Sequence, residues 1–210
     1  MHDMTVLRFS TPAPSVSRLT NLWGLWFTHV YVLLATALLA GALAHEFAAA
    51  QPPTALGALQ RLFLALAALG PASVVAVARH RPVTTGDFAT GWGMSVLASV
   101  CGAATAGRQV LLHIKPGAPG QGAVLGGLHL YTWTFLVFVA ATVAAGVMLV
   151  LTDETEPLDN RGPVLTLCTL GLLGLVLAAN VVTVFALQGF RFALPEIPAG
   201  YELLHQLGIR

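Results

Sequence analysis

The chain has 210 residues, of which 56% are hydrophobic and 9% charged, with a formal net charge of +1 and a mean hydropathy of +0.78. Soluble domains carry about 25% charged residues, so this composition excludes an ordinary water-soluble globule and points to lipid as the solvent. The near-zero net charge also excludes nucleic acid as a partner, because no basic field exists to attract it.

Residues 1–21 are polar, carry Arg8, Arg18, Pro12 and Pro14, and read as a short leader on one side of the membrane. Leu22–Phe47 is the first span. It is expected to be retained rather than cleaved, since its apolar run far exceeds the ~7–15 residues of a signal-peptide core. Gln51-Pro52-Pro53-Thr54 breaks the chain, and Leu56–Ala78 is the second span, with Gln60 and Arg61 near its start. Phe88–Ile114 holds the third span, whose Gly102, Ala103, Ala106 and Gly107 form a small-residue surface for close helix approach. A turn-rich loop over Pro116–Gly122 reverses the chain into a fourth span, Leu125–Leu151. Asp153-Glu154-Thr155-Glu156-Pro157 stops that span, and Val164–Leu187 is the fifth. Each run reaches the ~20 residues needed to cross about 30 Å of hydrocarbon. The fold class is therefore an all-α integral membrane protein of five transmembrane helices over 22–187, a four-helix core plus one extra carboxyl-terminal helix. Residues 188–210 form a tail in which Tyr201–Ile209 reads as an amphipathic turn at the interface.

Alternating passes place the end of span one, the start of span two, the end of span three and the start of span four on one membrane face. That face collects His45, Glu46, Gln60, Arg61, Arg108, Gln109, His113, His129, Tyr131 and Trp133. Residues four apart share a helix face, so Gln109 points with His113 and His129 with Trp133. Ionisable groups at the edge of a small-residue bundle make a candidate small-molecule site. The same residues also suit plainer roles: arginines snorkelling to headgroups, histidines bonding loop carbonyls, and Tyr131 and Trp133 in an aromatic belt. Two chemical readings follow. Arg61 and Arg108 can donate to the carbonyl oxygens of a quinone and hold negative charge as it is reduced. Alternatively, His113 and His129 can ligate a haem iron or another metal as neutral imidazoles. Cys101 and Cys168 lie inside apolar runs without CxxC or zinc spacing. The positive charges divide evenly between the two faces, so they leave the orientation open.

The stretches HEFAAAQPPTALGALQR (His45–Arg61) and GRQVLLHIKPG (Gly107–Gly117) resemble the disulfide bond formation protein B family. That family carries a Pro-Cys-x-x-Cys motif at the top of its second span, followed by an arginine one turn later. Aligned on Arg61, Pro53 falls on the family proline, and Thr54 and Gly57 fall on the two cysteines. The resemblance covers roughly residues 22–151. It implies a bacterial inner-membrane protein with a cytoplasmic amino terminus and the polar cluster on the periplasmic face. It also implies a ubiquinone-type quinone near Arg61 and electron transfer to or from it; the polar residues gathered on that face make Gln60, Arg108, Gln109, His113, His129 and Trp133 the further expected contacts. The loop Lys115–Leu128 holds no cysteine, so the family's thiol relay has no counterpart, since exchange requires an attacking thiolate. The expectation is a quinone-linked oxidoreductase without that relay, taking electrons from a periplasmic redox protein or from a haem at the histidines. The alternatives are a non-catalytic anchor or assembly subunit of a larger membrane complex, and a disulfide oxidoreductase using Cys101 or Cys168.

Overall fold

In the computed structural model, which describes residues 16–49, 52–113, 124–154, 162–190 and 201–206, five long helices account for nearly all of the structure. They are α1 (Val16–Ala49), α2 (Ala55–Ala78), α3 (Thr85–Leu112), α4 (Leu130–Val150) and α5 (Pro163–Gln188), followed by the short α6 (Glu202–Gln206). All five long helices have the length and apolarity to cross a membrane, α1 through its Gly24–Ala49 portion. Only 17% of the α4 stretch is buried inside the bundle, so its apolar faces meet lipid rather than protein.

Local chemistry sets the helix ends. The Thr54 hydroxyl accepts from Gly57 N–H at 3.2 Å and caps α2. Thr84 and Asp87 form a reciprocal capping box at the start of α3, and Arg81 clamps the Asp87 carboxylate through both guanidinium nitrogens at 2.6 and 2.8 Å. Pro163 occupies the first turn of α5, where its missing N–H has no helical partner to lose. Pro71 lies inside α2; such residues persist in membrane helices because neighbouring groups satisfy the freed backbone.

The fourth span begins later than the apolar run suggests. Val124–Leu125 pairs antiparallel with Leu128–His129 in a two-stranded hairpin, and α4 starts only at Leu130. Gly126 and Gly127 take φ of 57° and 82°, the pair of left-handed residues a tight hairpin turn requires. Trp133 fastens the hairpin to α4, donating from Nε1 to the Leu125 carbonyl at 2.9 Å. The loop Pro116–Gly122 and the acidic stop at Thr155–Pro157 lie outside the described residues.

α2 is the central helix, touching α1, α3, α4 and α5, while α5 packs on α1 and α2 outside the four-helix core. At the end where α1 begins, Val74, Ala78, Phe88, Trp92, Ala145 and Met148 form the core with Leu25, Phe27 and Tyr31. Trp92 is fully buried there, its ring centroid 5.0 Å from Tyr31 and 5.9 Å from Phe27. A second cluster of Val32, Ala35, Ala68, Ala72 and Leu173 joins α5 to α1 and α2. α2 and α3 approach backbone to backbone at Gly70 and Gly91, where a Cβ on Gly91 would lie 2.7 Å from Gly70 O. The small-residue surface of α3 is filled from within the chain. The Phe138 ring of α4 lies over Gly102, Phe135 lies against Gly107, and Ala106 is fully buried.

Candidate functional site

Among the described residues, the end of the bundle opposite the Trp92 core buries the strongly polar side chains of Glu46, Gln60 and Gln109. Successive residues on a helix point about 100° apart. On α2, Gln60 turns to α3 and Arg61 turns to α1. On α3, Gln109 turns to α2 and Arg108 turns outward.

Two networks result. In the first, Arg61 Nη1 donates to Glu46 Oε2 at 2.5 Å, and Arg61 Nη2 donates to the Ala42 carbonyl at 3.0 Å. The Glu46 side chain has no exposed surface, against 14% for Arg61. The second carboxylate oxygen, Oε1, accepts the Tyr201 hydroxyl at 2.8 Å. A buried carboxylate is tolerated only with partners on its lone pairs, and Glu46 has them from α2 and from the tail beyond α5. Burial pushes the Tyr201 hydroxyl up to about 12, and its hydrogen bond to Glu46 and the charge of that carboxylate push the same way against the opposing charge of Arg61.

In the second network, Gln60 Nε2 donates to Gln109 Oε1 at 2.8 Å, and His113 Nδ1 donates to the Gln109 carbonyl at 2.8 Å. His113 stacks on Tyr131 with centroids 5.2 Å apart, and His129 stacks on Tyr131 at 5.1 Å with planes 8° apart. The chain of contacts thus runs from α2 through α3 to the start of α4. His129 Nδ1 is buried without a hydrogen-bond partner.

The two arginines are therefore not brought to a common pocket: Arg61 is engaged by Glu46, and Arg108 is exposed. Gln60, Gln109, His113 and His129 are brought together, while Trp133, in the first turn of α4, is engaged by the hairpin carbonyl of Leu125. His45 is exposed, and His29 is buried at the other end of the bundle. Its Nδ1 donates to Leu25 O at 2.8 Å, and Nε2 lies 3.3 Å from Thr166 Oγ1. A metal shared by His113 and His129 would need a nitrogen of each about 2.0–2.1 Å from one point. Tyr131 is instead the shared partner of both rings, and no group of three metal-ligating side chains gathers among the described residues. Cys101 and Cys168 are free, exposed and on separate helices, α3 and α5.

Tyr201 is the residue that the linear pattern conceals, since 155 positions separate it from Glu46 and no local periodicity connects them. Glu46 carried a weaker signal, a lone carboxylate closing an apolar run.

Fold and site define a five-span helical membrane protein with a buried polar cluster at one interface. No protein-family model, curated protein or solved structure matches the chain.

Proposed function

We propose that this chain binds a ubiquinone-type headgroup at the Glu46–Arg61 pair and passes reducing equivalents between the quinone pool and a periplasmic redox protein. It would sit in a bacterial inner membrane, amino terminus in the cytoplasm and polar end outward. The observation that carries the reading is the buried carboxylate–guanidinium pair, on which a phenolic hydroxyl is already docked at 2.8 Å. The reduced quinone headgroup presents the same phenolic O–H.

The residues present fit such a group. Gly57 stands one turn before Arg61 on the same face of α2. Among the described residues, a Cβ there would meet only Thr54 Oγ1 at 3.4 Å and Pro53 Cβ at 3.6 Å, both in the cap of that helix. That face is thus left without a side chain next to the guanidinium. A bound quinone supplies two-electron, two-proton carrier chemistry. Glu46 accepts the hydroxyl hydrogen bond and can hold its proton at Oε1. Arg61 stays charged throughout and holds negative charge beside it in a site of low dielectric. The Gln60–Gln109 bond locks the first turns of α2 against α3 and so orients Arg61 from behind. His113, Tyr131 and His129 form an aromatic wall on the neighbouring side, with His129 Nδ1 as a free polar contact. Arg108 faces the lipid headgroups.

The test is extraction of quinone from the purified full chain, followed by titration with a short-tailed ubiquinol, kept reduced, in nanodiscs. Glu46→Gln removes a charge-assisted hydrogen bond worth about 1.5–3 kcal/mol, which corresponds to roughly 10- to 100-fold weaker binding. No extractable quinone and no saturable binding would refute the reading.

A further inference from the structure

A five-span bundle is complete without the chain returning to α1, yet the segment after α5 does return. Tyr201 donates to Glu46, and the helix that follows it is seated on the end of α5. Gln206 Oε1 accepts the Phe190 N–H at 3.2 Å, and Gln206 Nε2 donates to Glu202 at 3.4 Å. Gly189, at φ 60°, makes room for this contact, because a Cβ there would lie 2.8 Å from Gln206 Oε1.

We propose that Tyr201 is an internal occupant of the headgroup site, so that docking of the strap Tyr201–Gln206 and binding of a quinol are mutually exclusive. The inference rests on the quinol reading and adds the regulation of that site. The argument is one of access. Glu46 Oε2 accepts from Arg61 and Oε1 from Tyr201, and the carboxylate has no exposed surface while both are in place. A phenolic hydroxyl arriving from the membrane can reach Glu46 only by replacing the phenolic hydroxyl already there. The exchange is nearly isoenergetic at the carboxylate, because one O–H···O⁻ bond substitutes for another. The other contacts of the strap include the Phe190–Gln206 hydrogen bond and its packing on α5. Each such bond shifts a docking equilibrium by about two- to tenfold, within reach of a ligand that binds only the open form.

The experiment uses the full chain in nanodiscs with a short-tailed ubiquinol kept reduced, comparing wild type with Tyr201→Phe. The variant keeps the ring and loses the competing hydroxyl. It is expected to bind about fivefold tighter, the gain from removing one competing hydrogen bond. Hydrogen exchange of the 203–206 amides is expected to quicken as ligand saturates the wild type, and to be fast without ligand in the variant. Equal or weaker binding by Tyr201→Phe, or unchanged protection of 203–206 at saturation, would overturn the competition while leaving the quinol reading intact. Absence of binding by both proteins would overturn both.

Discussion

Replacing Arg61 with alanine strands the Glu46 carboxylate, and the size of the loss follows from its surroundings. Glu46 has no exposed side-chain surface and Arg61 only 14%, so the pair belongs to the buried class, in which removing one partner costs about 3–5 kcal/mol. Two features place this substitution at the lower end. Tyr201 still donates to Oε1, and the vacated guanidinium volume opens on the partly exposed side of the pair. The expected cost of Arg61→Ala is therefore about 3 kcal/mol. The double substitution Glu46→Gln with Arg61→Met removes both charges while keeping most of the volume, and is expected to lie within about 1 kcal/mol of wild type because no charge is left unpaired. Reversible unfolding in mixed detergent–denaturant micelles, with all three proteins refolded from the same state, measures the difference. Equal destabilisation by the single and double variants would refute the reasoning, since it would mean that volume rather than the stranded charge sets the cost.

Three further outcomes follow from the same packing. Gly102→Ala drives a methyl into the Phe138 ring, which is fully buried and has no room to swing; a loss of about 1–3 kcal/mol is expected, partly restored by adding Phe138→Leu, and a neutral Gly102→Ala in the same unfolding assay would contradict the close α3–α4 contact. Gln109→Leu leaves the buried Gln60 amide without its 2.8 Å partner and is expected to cost about 1–3 kcal/mol, whereas Gln60→Leu with Gln109→Leu is expected to cost less than the single change. The Tyr201 hydroxyl is raised from 10.0 to about 12 beside Glu46 and Arg61. The fold thus favours the protonated phenol, and the docking contribution is fully present below pH 10 and lost as pH rises through about 12. A tyrosinate absorbance titration of wild type minus Tyr201→Phe reads this directly, and a difference titration centred at the ordinary phenol value would refute it.

The number of spans and their lengths were legible in the linear order of residues, because hydrocarbon thickness and helical rise are one-dimensional constraints. Alternation then delivered Glu46, Gln60, Arg61, Gln109, His113 and His129 to one end of the bundle. The rotation of each helix was not legible. α4 and α5 are apolar all round, so no stripe marks a buried face. Only packing decided that Arg61 faces Glu46 while Arg108, one residue before the buried Gln109, faces out. The start of α4 was concealed for a related reason: Leu125 and Leu128 are as apolar as a span, and the Gly126–Gly127 turn signal lies inside that apolar run. The return of Tyr201 to Glu46 belongs wholly to the tertiary structure, because a hydrogen bond across 155 positions leaves no periodic trace in sequence and exists only once α5 has carried the chain back across the membrane.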